Sequence, residues 1–571
     1  MIDSCDSGYV DCNGNAVDGC EAIDEGLPGT PRLLAPANGE YTGSFRAGSS
    51  RMPLLRWTAP QSEGSCAELT YEVQIEDSCA DAGRQNCAFS SPEAEARGIA
   101  ATSHRPEEPL FASVDLPAGT RYFWRVRACE AGDRCSDWSE VRYLNVGRLR
   151  DDLNGDGYSD VLALSLDEGS NARTHIVPGD SPMNTRPGMN IPANPSSFDD
   201  VRFLGDLNGD GFMDAAREGA EPVLLLGALS AAISTVPIPT ASASTLHAVA
   251  ALGDFNGDGF DDFAFSDYSR DASPTNPPPA VRIFLGSEAL DLSQPLEVTP
   301  PAGTTPLQFG MELEGGLDMN GDGYTDLAIM DGDDGRVHVV YGGATPTAQV
   351  RASLLTSTPC NYVQGAQLAR AGDMNGDGYA ELAVRCGFNA FVFVGGRTLP
   401  LAPAWTHTLD STAFPEGRSL VGGFDLGQDG YADLVLHGDQ PQGKNLLVLP
   451  GGQSFSAQST PVPFGGRLAD SDDPRSGSGL TLGDHEGDGR PDLVVQVPIS
   501  GSPPNTAVGN LRWFSGGKKE SATGTCDQPN SSFEAVGNWC EASALDIEGK
   551  YQRLEDLNYP IGNSFGFVLA R

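Results

Sequence analysis

The sequence predicts an all-β protein, a seven-bladed β-propeller preceded by a β-sandwich. Three observations predict it. A nine-residue loop, D-x-N-G-D-G-x-x-D, recurs seven times over the last three quarters of the chain, once every 48–64 residues. Each copy lies between short β-rich runs, and no apolar stripe of helical period competes with them. The region ahead of the first copy has no such loop, but it alternates apolar and polar residues as half-buried strands do.

The loops carry chemistry. Their first positions are Asp152, Asp206, Asp254, Asp318, Asp373, Asp425 and Asp484. Position 3 is Asn154, Asn208, Asn256, Asn320, Asn375 or Glu486, and the sixth loop has Gly427 there. Position 5 is Asp156, Asp210, Asp258, Asp322, Asp377, Asp429 and Asp488. Position 9 is Asp160, Asp214, Asp262, Asp326, Glu381, Asp433 and Asp492. Glycine at positions 4 and 6 permits a sharp turn, and the backbone carbonyl of position 7 (Tyr158, Phe212, Phe260, Tyr324, Tyr379, Tyr431, Arg490) is the remaining expected ligand. An all-oxygen shell of this order suits a hard cation, and the positional logic is that of the first half of an EF-hand loop, with position 9 closing the shell. Up to seven Ca2+ ions are expected. The alternative is a run of metal-free Asn/Asp/Gly turns, whose carboxylates would repel one another. The sixth loop lacks the position-3 side chain and has Gln428 in place of glycine, so it is expected to bind most weakly.

The spacing gives the blades. A short apolar segment precedes each loop, as in LHAVAALGD (246–254), and a β-rich run such as LAIM (327–330) follows it. A third run often ends in glycine, as in VHVVYGG (337–343) and FVFVGG (391–396). A weaker Pro- and Thr-rich segment leads on. Four strands repeated at this period describe a propeller blade. The first loop lacks a strand before it. The last residues, NSFGFVLAR (563–571), are expected to supply that strand and lock the ring, which removes an open sheet edge; the alternative is a frayed tail.

Over about 149–571 these units resemble FG-GAP repeats, the calcium-binding blades of the integrin α head and related bacterial surface proteins. The resemblance implies the propeller fold and the calcium sites. Phe-Gly stands at its expected place only in Phe309-Gly310 and Phe565-Gly566, and the Gly-Ala-Pro segment is missing. Nothing aligns with the integrin's ligand surface.

Residues 28–148 contain LTYEVQI (69–75) and LPAGTRYFWRVRAC (116–129). An early Trp57, a Tyr122 after a Leu-x-x-Gly turn and a late Trp138-Ser139 resemble a fibronectin type III sandwich. Residues 1–27, with Cys5, Cys12 and Cys20, are too few for a core and are expected to be held by disulfides. Elsewhere the expected pairs are Cys79 with Cys87, Cys129 with Cys135, Cys360 with Cys386 and Cys526 with Cys540. Zinc is the alternative, but there is no C-x-x-C and the histidines are scattered.

Net charge is −42, and seven divalent cations would offset a third of it. The rest is a solvated acidic surface, which argues against nucleic acid and anionic lipid as partners. No membrane span or signal segment is read in this chain, and a targeting segment outside it is expected. The expected setting is extracellular or the cell surface. The leading expectation is an adhesion or binding module for a protein or glycan at the cell surface or matrix. A carbohydrate-binding lectin and a polysaccharide-active, lyase-type enzyme are the alternatives. Catalysis is not expected, because His175, His247, His338, His407, His437 and His485 fall in different blades and no nucleophile–base order stands out.

Overall fold

The computed structural model describes residues 27–514, apart from 45–50, 61–67, 80–86, 131–133, 167–171, 180–188, 193–200, 219–220, 229–232, 241–245, 269–278, 303–307, 333–334, 356–365, 410–419, 438–445, 464–479, 486–489 and 499–508, together with 9–10, 21–22 and 567–569. Those residues form strands and turns, with no α-helix among them. Among them no helix is long and apolar enough to cross a membrane.

The front of the chain folds as a two-sheet sandwich. One sheet orders Arg32–Ala35, Leu55–Thr58 and Ser103–His104. The other orders Glu40–Thr42, Arg142–Val146, Thr120–Glu130, Thr70–Glu76 and Ala94–Ile99. The alternation read from the sequence is what builds the core. Tyr71, Val73 and Ile75 point to the same interior as Tyr122, Trp124 and Val126, where Trp57 and Leu144 meet them. Each such side chain contributes roughly 1.5–3 kcal/mol on burial. The Tyr122 hydroxyl donates to the Phe111 carbonyl at 3.0 Å, fixing the turn ahead of its strand. Disulfides join Cys79 to Cys87 and Cys129 to Cys135 as expected, and Cys386 is also disulfide-bonded. Cys360, Cys526, Cys540 and the three N-terminal cysteines lie outside the described residues. In the N-terminal segment, Tyr9–Val10 pairs with Glu21–Ala22.

Seven further antiparallel sheets follow, one per loop. The fourth, for example, orders Phe309–Leu317, Asp326–Asp331, Arg336–Val340 and Val350–Leu355. From the second sheet to the seventh the loop joins the first strand to the second. A glycine one residue before the loop breaks the register of that pair, at Gly205, Gly253 and Gly372, each with positive φ. The seventh sheet has three strands among the described residues. In the first sheet, Phe567–Leu569 pairs antiparallel with Val161–Leu166, placing Leu569 opposite Ala163 and Phe567 opposite Ser165. Phe565-Gly566 lies outside the described residues.

Apolar residues pack each of the first five sheets on the next; Met319, Met330 and Leu382 lie in one such layer, Val392, Leu434 and Leu447 in another. Val161 and Val177 of the first sheet pack on Val494 of the seventh.

Candidate metal centres

Six loops share one hydrogen-bond pattern through most of their length. The position-3 side chain, where it is Asn, accepts the position-5 N–H, at 2.8–3.1 Å. The position-5 carboxylate accepts the position-7 N–H. The position-6 glycine donates to Oδ2 of the position-1 aspartate, at 2.8–3.1 Å. Both turn glycines take left-handed backbone, as in Gly321 (φ 74°) and Gly323 (φ 95°). The oxygens at positions 1, 3 and 5 are thereby turned toward one another. In the seventh loop Glu486 and Asp488 lie outside the described residues.

Position 9 does more than the sequence suggested. Its carboxylate accepts the position-2 N–H, as Asp160 does from Leu153 at 2.9 Å and Asp326 from Met319 at 3.0 Å. Its other oxygen accepts the N–H of the glycine that ends the third strand: Gly179, Gly227, Gly286, Gly342, Gly395 or Gly451. The second lone pair on each oxygen is still available to a cation. The sixth loop departs from this pattern. There Gly427, at position 3, makes the bond to Asp433, and Gln428 is forced to φ 53°.

Neighbouring loops are tied to one another. The position-8 N–H of one loop donates to the position-1 carbonyl of the loop before it: Met213 to Asp152, Asp261 to Asp206, Ala380 to Asp318, Ala432 to Asp373. Ser159 of the first loop makes the same bond to Asp484 of the seventh, at 3.0 Å. The residue after Gly227, Gly286, Gly342, Gly395 and Gly451 donates to the position-2 carbonyl of the preceding loop, as Gly343 does to Phe255 at 2.9 Å. That packing leaves no space for a side chain. A Cβ on Gly342 would stand 2.3 Å from the Thr325 carbonyl oxygen and 2.6 Å from that of Phe255. Gly342→Ala is therefore expected to cost about 1–3 kcal/mol, read as a lower urea midpoint; an unchanged midpoint would show that this contact yields freely.

The electrostatics suit a cation. Burial, reinforced by the neighbouring carboxylates, pushes Asp160, Asp326 and Glu381 well above the ordinary carboxylate range. Burial raises Asp152 to about 7 and Asp433 to about 8. Oδ1 of Asp206 and of Asp373 is buried with no hydrogen-bond donor, while Oδ2 of each is engaged. A buried acceptor left in this state costs about 1–3 kcal/mol. An oxygen-only donor set with orphaned inward oxygens fits Ca2+.

Basic residues of the sandwich reach this face of the sheets. Arg142, fully buried, bonds Asp373 Oδ2 at 2.9 Å, and Arg121 bonds Asp254 Oδ2 at 3.0 Å. Arg148 stands 3.8 Å from Asp206 Oδ2 and 3.6 Å from Asp261, and Arg56 is 3.8 Å from Asp425 Oδ2. Loop carbonyls accept from Arg32 (at Asn375 and Gly376), Asn38 (at Gly378), Arg56 (at Gln428) and the Ala118 N–H (at Gly209). Asp261, at position 8 of the third loop, accepts the Tyr41 hydroxyl. None of these partners was singled out from the sequence.

Of the scattered histidines, His338 has acquired neighbours. Its Nδ1 lies 2.8 Å from Ser353 Oγ, and its Nε2 lies 3.7 Å from Asp331. The imidazole is 1% exposed and rests near the Phe309 ring, so this trio is a buried link between strands of one sheet. His485 Nδ1 meets the Ser159 carbonyl at 2.7 Å, joining the seventh loop to the first.

A chain of this kind, seven sheets strung on acidic loops behind a sandwich, has recognisable kin. Residues 318–384 match the FG-GAP-like repeat family, and residues 46–150 match the family of Rha78A-like, N-terminal immunoglobulin domains. The chain thus carries an FG-GAP-like repeat and, ahead of it, an immunoglobulin-like domain. The sandwich likened above to fibronectin type III is thus matched at the immunoglobulin level. Integrin alpha-IIb of Mus musculus is 32% identical over 143 residues, 21% of this chain and 14% of the integrin. Among solved structures, a complex of KlAtg21 with the coiled coil of AgAtg16 is 14% identical with a TM-score of 0.35, covering 60% of this chain and 94% of that one. Sqt1 of Saccharomyces cerevisiae is 8% identical with a TM-score of 0.31, covering 72% and 96%. Likeness that slight carries neither fold detail nor function.

Proposed function

We propose that the seven sheets close into a calcium-stabilised propeller that works outside the cell as a binding module for a macromolecular partner, a protein or a glycan. The observation that carries the reading is the recurrence of one acidic loop in every sheet, tied loop to loop. Closure is supported by the Ser159–Asp484 bond, which repeats between last and first loops the bond that joins consecutive ones. It is supported too by the pairing of Phe567–Leu569 with the first sheet. Disulfides favour an oxidising compartment.

The cations are structural in this reading. They sit in oxygen shells whose recurring positions hold no nucleophile among the described residues, and the protein acts in this reading by binding rather than by catalysis. Partner binding falls to the opposite face. In an antiparallel meander the connections from second to third strand, and from one sheet to the next, emerge at the end away from the metal loops. Connecting loops held by a scaffold are free to vary and commonly carry recognition.

Metal analysis of dialysed protein tests the first half. Several calcium ions per chain are expected, with the sixth loop emptying first as calcium becomes limiting. No bound metal, or zinc, overturns the reading, and equal occupancy of all seven loops overturns the ranking. A pull-down from intact cells, with and without chelator, tests the second half. Recovery of the same surface protein or glycan only with calcium is expected; hydrolysis or elimination of a polysaccharide by the purified protein would replace this reading with a catalytic one.

A further inference from the structure

Four arginines of the sandwich share one geometry. Arg148, Arg121, Arg142 and Arg56 come from different strands and turns of a domain without repeats. Yet each approaches the Oδ2 oxygen of a position-1 aspartate, in the second, third, fifth and sixth loops respectively. That oxygen is also the one held by the position-6 glycine N–H. Oδ1 is thereby turned toward the loop interior, and in Asp206 and Asp373 it is buried with no donor.

The charges match as well. The carboxylates at positions 1, 5 and 9 bring three negative charges to each of these loops. A divalent cation neutralises two of them, and one arginine neutralises the third. Leaving a residual charge in so desolvated a place is costly. The third loop carries a fourth carboxylate, Asp261, and this one meets both Arg148 and Tyr41.

Resting on the calcium reading above, we propose that the immunoglobulin-like domain is a calcium-dependent cap on the metal-loop face, whose arginines position the first aspartate of four loops for the cation. Cap docking and calcium loading are then linked, and by thermodynamic reciprocity each strengthens the other. The sign follows from the backbone. The cap also bonds loop carbonyls, those of Gly209, Asn375, Gly376, Gly378 and Gln428, and these face the cap only while the loop keeps its tight turn. Without a cation the converged carboxylates repel, the turn opens and the carbonyls are withdrawn. Clefts of about 470 Å³ and 80 Å³ lie between cap and loops, so the contact between them is discontinuous, as befits a joint that can separate.

The test uses the full chain in three arms. In the first, small-angle scattering and limited proteolysis of the connection at 147–151 are followed with saturating calcium and after chelation, below the unfolding temperature. Chelation is expected to enlarge the radius of gyration and to speed cleavage at least tenfold. In the second, calcium titration of Arg121→Ala/Arg142→Ala is compared with the unaltered chain. Affinity at the third and fifth loops is expected to fall about tenfold, as loss of an outer partner of a metal ligand typically does, while the first loop is unaffected. In the third, Arg121→Lys/Arg142→Lys should restore part of that affinity. A cap that stays docked after verified calcium removal overturns the proposal, as do variants that bind calcium equally or more tightly, since the arginines would then be bystanders or competitors. An unaltered chain that binds no calcium at all sinks the calcium reading itself, a distinct result. The first arm needs no substitution, so misfolding of a variant cannot leave the proposal undecided.

Discussion

Stripping calcium from the folded protein should lower its melting temperature by some 15–20 °C at neutral pH. A ligand that binds only the native state adds about 2.7 kcal/mol per site at a hundredfold excess over its Kd. Six such sites act together on a unit of this size, whose unfolding entropy is roughly 2.1 cal/mol/K per residue, and the quotient gives that shift. The effect should depend on pH with a definite sign. In the metal-free fold, burial raises Asp152, Asp206 and Asp425 to about 7 and Asp433 to about 8. Unfolded aspartates titrate near 3.9. The folded chain therefore holds protons that the unfolded chain has released. Its stability is fullest below the unfolded pKa and is lost as pH rises through the folded values. Calcium requires the deprotonated ligands, so its own contribution grows over the same interval. Differential scanning calorimetry at about pH 5.5 and pH 8, with and without chelator, should show the larger gap at the higher pH. A melting curve unmoved by verified metal removal would refute the structural role, and a larger gap at low pH would refute the account of its origin.

Deleting residues 563–571 should be the most damaging truncation of the chain. Phe567–Leu569 supplies the first sheet's strand beside Val161–Leu166, and strands there are antiparallel through their full pairing. Its removal leaves a row of unpaired N–H and C=O groups on Val161–Leu166, an edge able to pair with other chains. It also takes Phe567 and Leu569, whose apolar side chains are worth roughly 1.5–3 kcal/mol each where they are buried. The truncated chain, in saturating calcium, should melt lower by several kcal/mol of stability and should aggregate on standing. A monomer as stable as the parent would show that the tail closes nothing.

Much of this was legible because repetition multiplies a weak signal. A single D-x-N-G-D-G-x-x-D is an ambiguous turn, but seven at near-even spacing locate the strand on either side of each. The missing strand before Asp152 and the orphaned FVL near the C-terminus could be matched for the same reason. The cysteine pairs at 79/87 and 129/135 were legible from short separations. What stayed hidden lies in long-range contacts from a domain that does not repeat. Arg32 and Gly376 are 344 residues apart, and an arginine in a strand of a sandwich looks like any solvated charge. The third-strand glycines were noticed as strand ends, yet their donation to position 9 depends on three-dimensional proximity between two turns. Position 9 was read as a ligand alone because carboxylates in an acidic loop suggest metal before they suggest backbone amides. The sandwich was read one family away, since the early Trp, the corner Tyr and the late Trp serve kindred sandwiches equally.

Pro491 occupies position 8 of the seventh loop, where the chain elsewhere offers an N–H to the loop before it. Proline has none to give, and the loop it faces is the sixth, already shifted by one residue and strained at Gln428. In the proposed ring the covalent gap lies in the first sheet, where Phe567–Leu569 meets Val161–Leu166, while the loop-to-loop bond that proline cannot make is the one between the sixth and seventh. The two are set one sheet apart. A circle whose cut and whose missing bond fall in different places stays whole when either of them opens alone.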